Sequence, residues 1–171
     1  MDLKHSEDFF IRTLLNKVKL QEIMVDRVIA IREDESFSRV EEIFRERHIR
    51  HLPVVNSEFK LVGIITQRDL YRITPPRKDD EGKMVYDKEI LDGYILKNFM
   101  TKNPFSLSPN NTVAEALLVM VDKKFGCIPI TDQFKTLVGI VTQIDILRIG
   151  AKILREGGLD NPATAPKPPK K

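Results

Sequence analysis

Cysteine is almost missing from these 171 residues: Cys127 stands alone, so no internal disulfide can form, which fits a reducing compartment. There is no run of about twenty apolar residues, the length a bilayer span needs, and the opening MDLKHSEDFF lacks the layout of a secretory signal. A soluble, cytoplasmic protein without membrane contact is therefore expected. Neither sign of charge dominates. The net charge is +3, part of it in the closing KPPKK, so the body is closer to neutral and poorly suited to nucleic acid, whose binders concentrate Lys and Arg on one face. No Ser-His-Asp set, Walker loop or Rossmann glycine pattern is present, so catalysis is not expected and no cofactor is required. His48 and His51 sit three apart, but no Cys or carboxylate cluster completes a metal shell around them. Cys127, beside Ile-Pro-Ile, reads as a small packed residue rather than a nucleophile.

What the chain does have is length for one ordinary domain, 42% hydrophobic residues to build a core, and 31% charged residues, a share that would suit a heat-tolerant source. Above all it repeats itself. LVGIITQRDLYRI ends at Ile73 and LVGIVTQIDILRI at Ile149, 76 positions later. The same offset pairs Met24 with Met100, Pro53 with Pro129, Thr66 with Thr142 and Asp69 with Asp145, and the register does not slip between Met24 and Ile73. Elsewhere the copies match in hydrophobic pattern, as in HIRHLPVV against FGCIPI, which indicates an old duplication.

Periodicity predicts the elements. SEDFFIRTLLNKVKLQEIM places Phe10, Leu14 and Val18 on one face of a helix capped by Ser6, packed on the repeats or on a second subunit. RVIAIR then reads as a strand, and SFSRVEEIFRERH as a helix with Ser36 as its cap. HLPVVN and KLVGIIT are two short strands, and QRDLYRI opens a second helix. The order is β-α-β-β-α, repeated from PFSLS through TVAEALLVMVDKK, CIPIT and LVGIVT to QIDILRIGAKILR. The domains expected are an N-terminal helix (1–19), repeat 1 (20–75), a connector (76–94), repeat 2 (95–155) and a tail (156–171). The stretch between the repeats, TPPRKDDEGKMVYDKEI, is polar and charged, and its two prolines stop the preceding helix at about Ile73, so the connector is expected to be mobile; the Pro, Gly and Lys of the tail predict disorder.

TQRD and TQID admit two readings. Thr at a strand-to-helix junction with an acid three positions later is a capping box. The same junction leaves helix N–H groups facing outward, a natural anion site, and Gly63 and Gly139 would let a ligand approach the backbone. A carboxylate at that rim suits the paired hydroxyls of a ribose. The two roles are compatible.

Two β-α-β-β-α repeats, each with G-x-x-T-x-x-D running from a strand into the last helix (GIITQRD and GIVTQID), after HLPVV and CIPIT and an opening IM or FMT, closely resemble a tandem pair of CBS domains, a Bateman module. The resemblance covers about Leu20 to Leu154. It implies an α/β (α+β) fold in which the two repeats pack with pseudo-twofold symmetry. It implies two clefts for adenosine-containing ligands such as AMP, ADP, ATP or S-adenosylmethionine. It further implies a homodimer that regulates an effector protein.

Carried over by the motif, Asp69 and Asp145 would take the ribose hydroxyls, and Thr66 and Thr142 phosphate or ribose. The base would lie on the first strand of the opposite repeat: Thr101, Asn103, Pro104 and Phe105 beside Asp69, and Arg27, Val28 and Ile29 beside Asp145. Around the first cleft stand Arg50, His51 and Arg68, suited to phosphate, where repeat 2 has Gly126, Cys127 and Ile144. Lys124 partly compensates. The Asp69 cleft is thus expected to prefer phosphorylated nucleotides, and the Asp145 cleft to be weaker or to take a less charged ligand. The dimer is expected through the apolar faces of VAEALLVMV and DLYRI, the alternative being that these faces meet between the repeats. The competing function is a structural or protein-interaction module whose motifs are only helix caps and whose clefts stay empty.

Overall fold

A computed structural model describes residue 13 and residues 15–156. In repeat 1, β1 (Ile31–Arg32) leads to α1 (Phe37–Arg47), β2 (His51–Val55), β3 (Leu61–Thr66) and α2 (Gln67–Ile73). Next come β4 (Arg77–Lys78), β5 (Met84–Val85), α3 (Lys88–Asp92) and α4 (Leu96–Phe99). The second repeat holds β6 (Thr101–Lys102), α5 (Val113–Lys123), β7 (Cys127–Thr131), β8 (Leu137–Thr142) and α6 (Gln143–Glu156).

Local chemistry explains the boundaries. The Ser36 hydroxyl accepts the Arg39 amide to start α1, and Thr112 with Glu115 caps α5 in the same way. Each helix then stops at a residue in the left-handed region, His48 (φ 51) and Lys124 (φ 56), 76 positions apart. The β2–β3 and β7–β8 turns are each closed by an acceptor side chain: Asn56 Oδ1 takes the amides of Glu58 and Lys60, and Asp132 Oδ1 those of Phe134 and Thr136.

The repeats exchange their leading segments. β2 and β3 pair antiparallel, as do β7 and β8, each with a register shift near the turn. β6, at the head of repeat 2, completes the sheet of repeat 1 by pairing Thr101 with Ile64, while Val25, ahead of repeat 1, bridges Ile140 of β8. Lys60 bridges Thr136, joining the two hairpins about the pseudo-twofold.

The cores follow the same exchange. Leu91, Leu96 and Met100 lie in the cluster of Phe37, Val40, Leu52 and Ile65. Leu20 lies with Val113, Ile128 and Val141, and Leu15, Val18 and Met24 pack against them.

Two expectations are corrected. RVIAIR and PFSLS are strands only at Ile31–Arg32 and at the Leu107–Ile130 bridge. Val25 pairs on one sheet and Ile31 on the other, so the residues between must cross from sheet to sheet and cannot stay in a ladder. The connector, expected to be mobile, is folded. Asp79 Oδ1 accepts the amides of Glu81 and Lys83 to close the β4–β5 hairpin, Asp87 caps α3 through the amides of Glu89 and Ile90, and Leu91 is buried. The N-terminal helix expected from Ser6 falls mostly outside the described residues, with helical backbone at 13 and 15–17, and the tail from 157 lies outside them altogether.

Candidate functional site

Each repeat presents one junction. Thr66 ends β3, and its amide and hydroxyl both donate to Asp69 Oδ2, at 2.8 and 2.7 Å. Thr142 does the same to Asp145 Oδ2, at 2.9 and 2.6 Å. Capping therefore occupies one oxygen of each carboxylate. The remaining oxygens differ. Arg148 donates to Asp145 Oδ1 at 3.0 Å, whereas Arg72 stands 3.7 Å from Asp69 Oδ1, beyond hydrogen-bond reach.

The strands bring further residues to these corners. His51 pairs across from Thr66, and the carbonyl of Arg50 accepts the Gln67 amide, so Arg50, His51, Thr66 and Asp69 share one corner with Arg68 in the first turn of α2. Arg50 and Arg68 are exposed. In repeat 2, Cys127 faces Thr142 and the Gly126 carbonyl accepts the Gln143 amide, leaving Lys124 as the nearest cation along the chain. Thr101 runs beside Ile64, and Asn103, at φ 47, donates its amide to Val62, which puts both on the sheet that ends in Thr66. Pro104 is half-buried, and Phe105 turns toward its own repeat, its ring 6.3 Å from that of Phe125. Arg27, Val28 and Ile29 follow the Val25 bridge; Arg27 and Ile29 are exposed.

The glycines serve another purpose than expected. A Cβ on Gly63 would lie 2.3 Å from Met100 Sδ, and one on Gly139 would lie 2.4 Å from Met24 Sδ. The space held open at these glycines is filled by a methionine from the opposite repeat's leading segment, not left for a ligand. The shared 76-residue spacing of Met24 with Met100 was the sequence signal for this contact.

His51 also crosses between repeats. A Cβ on Gly126 would sit 2.7 Å from its Nε2, so the ring lies against the backbone that leads into β7. Burial, with the Arg50 guanidinium beside it, holds the imidazole below its ordinary pKa, so the folded chain favours the neutral ring. Between that depressed value and the usual 6.5 the unfolded chain binds more protons, so this contribution to stability is complete above about pH 6.5 and is lost as pH falls. Melting temperature should therefore drop between about pH 7 and pH 5, and drop less in His51→Gln. Equal slopes in the two proteins would remove His51 as the cause.

Burial pushes the Cys127 thiol up to about 12, the behaviour of a packed residue. Among the described residues no helix is long and apolar enough to cross a membrane, and no group of three or more His, Cys, Asp or Glu is placed to hold a metal ion. A groove of about 410 Å³ lies away from both junctions, between α1 and the segment holding Tyr86, Lys88 and Leu91.

The CBS domain family model matches residues 20–75 and 96–152, two copies spanning most of the chain. The protein belongs to the CBS domain family. A CBS domain-containing protein of Dictyostelium discoideum is 29% identical over 143 residues, covering 81% of this chain and 94% of that one. Inosine-5'-monophosphate dehydrogenase of Methanocaldococcus jannaschii is 32% identical over 130 residues, 76% of this chain but 23% of the enzyme. Homoserine O-acetyltransferase of Methanohalobium evestigatum is 26% identical over 142 residues, 83% of this chain and 26% of that enzyme. The chain thus spans about a quarter of these two enzymes. Among solved structures, the CBS-pair protein CBSX2 of Arabidopsis thaliana superposes with a TM-score of 0.68 at 22% identity, over 81% of this chain and 97% of its own. A CBS domain pair solved with 5'-methylthioadenosine and S-adenosyl-L-methionine gives 0.65 at 24% identity, over 80% and 98%. CBSX2 has also been solved with AMP.

Proposed function

We propose that this CBS pair is a regulatory module that binds adenosine-containing ligands at its two strand-to-helix junctions and relays their occupancy to an effector protein. The observation that carries the reading is Asp69. Its Oδ2 is spent on the cap while Oδ1 has no cation within hydrogen-bond reach, in a corner that also holds Arg50, His51 and Arg68. A carboxylate oxygen that accepts no hydrogen bond, paired only loosely with Arg72 at 3.7 Å, suits ribose hydroxyls, and guanidinium groups suit phosphate. Pairs of this fold solved with AMP, and with 5'-methylthioadenosine and S-adenosyl-L-methionine, support the ligand class. The Asp145 corner, with Oδ1 held by Arg148 and Gly126 where repeat 1 has Arg50, is the weaker site or the one for a less charged ligand.

Thr101, Asn103, Pro104 and Phe105 serve the base at the first site; Arg27, Val28 and Ile29 serve it at the second, with Lys124 supplying charge. Signalling requires a ligand to prefer one relative placement of the repeats over another, since equal affinity for both shifts nothing. The crossed leading segments are elements that such a change would move. The working unit is a cytoplasmic homodimer, and the effector is an enzyme or transporter, in the same polypeptide or a separate one.

Complete use of Thr66, Thr142 and both Oδ2 atoms in capping supports a second reading, an interaction module with empty clefts. Thermal shift with adenosine, AMP, ATP and S-adenosylmethionine separates the two. A ligand at a hundred times its dissociation constant adds about 2.7 kcal/mol of stability. No shift with any of them would leave the interaction module standing, and a shift unaffected by phosphate would remove Arg50 and Arg68 from the site.

A further inference from the structure

The pseudo-twofold reaches further back along the chain than the repeated motifs do. The bridge of Lys19 to Thr112 matches that of Ile95 to Ser36, each partner displaced by 76 positions. Leu15, packed against the core of repeat 2, matches Leu91 in the core of repeat 1, and helical backbone at 13 and 15–16 matches α3 at 89 and 91–92. At the same offset Phe10 corresponds to Tyr86.

In repeat 1, Tyr86 is half-buried against the core, its ring 6.2 Å from that of Tyr71 on α2, and it lines the groove that Glu42 and Arg45 of α1 also line. The counterparts of Glu42, Arg45 and Tyr71 are Leu118, Val121 and Leu147, which are 62%, 67% and 65% exposed. A polar groove in one repeat is thus an apolar face in the other. The segment at the matching place has changed in the same direction: Val85, Tyr86 and Asp87 become Phe9, Phe10 and Ile11.

Helix length and charge agree with this. α2 stops at Ile73 ahead of Pro75 and Pro76, whereas α6 has Ala151 and Lys152 at those positions and runs on to Glu156, a longer support than repeat 1 offers. Glu7 and Asp8 precede the apolar run, and α6 exposes Arg148, Lys152 and Arg155. Arg12 stands where repeat 1 has Lys88 and changes no charge; α5 ends in exposed Asp122 and Lys123, one of each sign.

We propose that residues 7–12 fold back over repeat 2 and cover the face of Leu118, Val121 and Leu147, with the Phe10 ring beside Leu147 as Tyr86 lies beside Tyr71. The occupant of the face is the chain's own N-terminal segment, so any other partner reaches it only by displacing that segment. The contact is independent of whether the junctions bind a nucleotide.

Linking the full chain with a short bismaleimide in dilute solution tests this. On a denaturing gel, Phe10→Cys with Leu147→Cys should give a chain linked to itself, as should Tyr71→Cys with Tyr86→Cys, whose contact is visible in the structure. Phe10→Cys with Tyr71→Cys should not link. Cys127 stays out of the reaction, because burial pushes its thiol up to about 12. A link between two chains in the Phe10 and Leu147 variant overturns the proposal, since the segment would then lie on a second copy. So does the absence of any link while the Tyr71 and Tyr86 pair links, or equal linking of Phe10 to Tyr71. A second measurement needs no label: Phe10→Ala and Leu147→Ala should each lower the melting temperature, and together by less than the sum of the two losses. Fully additive losses would mean that the two side chains do not meet.

Discussion

Leu96→Ala is expected to cost about 2–5 kcal/mol, a large part of the margin of an ordinary domain, although Leu96 lies outside the stretch that forms repeat 1. Its side chain is 1% exposed and sits among Phe37, Val40, Leu52 and Ile65, so its removal opens a cavity in the core of repeat 1. The neighbouring Lys97 is 59% exposed, and Lys97→Ala should stay within about 0.5 kcal/mol of wild type. Chemical denaturation measures both. Amide exchange then locates the damage, with β2 and β3 losing protection at least as fast as β7 and β8. If only β7 and β8 were affected, Leu96 would belong to its own repeat and the exchange of leading segments would be wrong. Leu20→Ala, 76 positions earlier and 0% exposed, should show the mirror pattern in repeat 2.

Asp69→Asn is expected to weaken binding of an adenosine ligand by about 1.5–3 kcal/mol, roughly 10- to 150-fold, while the helix start survives. The amide oxygen of asparagine can still accept from the Thr66 N–H, so the variant separates the two roles of the carboxylate. Asp69→Ala should lose both, with about 0.5–2 kcal/mol of folding stability lost alongside the affinity. Asp145→Asn should have the smaller effect on binding, because Arg148 already holds Oδ1 at 3.0 Å. Calorimetric titration with AMP and adenosine gives the affinities, and denaturation the stabilities. Should Asp69→Asn bind as tightly as wild type, the carboxylate is a cap and the ribose is held elsewhere.

Much of the architecture was legible because its signals are local. Ser36 and Thr112 mark helix starts, Asn56 and Asp132 mark tight turns, and the alternation in HLPVV, LVGIIT and their copies marks hairpin strands. The T-x-x-D junction was readable down to its capping bonds, because three residues of spacing suffice to place an acid over a helix N-terminus. The connector misled for the opposite reason. Its polarity pointed to mobility, yet Leu91 reaches a core whose other members lie up to 60 positions away, and no local pattern reports that. Gly63 and Gly139 misled in the same way: an absent Cβ signals close approach, but the sequence does not name what approaches, and Met100 and Met24 come from the other repeat.

The sequence by itself determined that there are two copies, which elements each contains, and which acid caps each final helix, because repetition, periodicity and capping act within a few turns of chain. Only the tertiary structure decided that each copy lends its leading segment to the other, that His51 lies against Gly126, that Asp145 Oδ1 is hydrogen-bonded by Arg148 at 3.0 Å where Asp69 Oδ1 stands 3.7 Å from Arg72, and that the exposed apolar face belongs to repeat 2. Those outcomes depend on which surfaces meet across the pseudo-twofold, and contacts between residues far apart in the chain are set by the shape and packing of the whole.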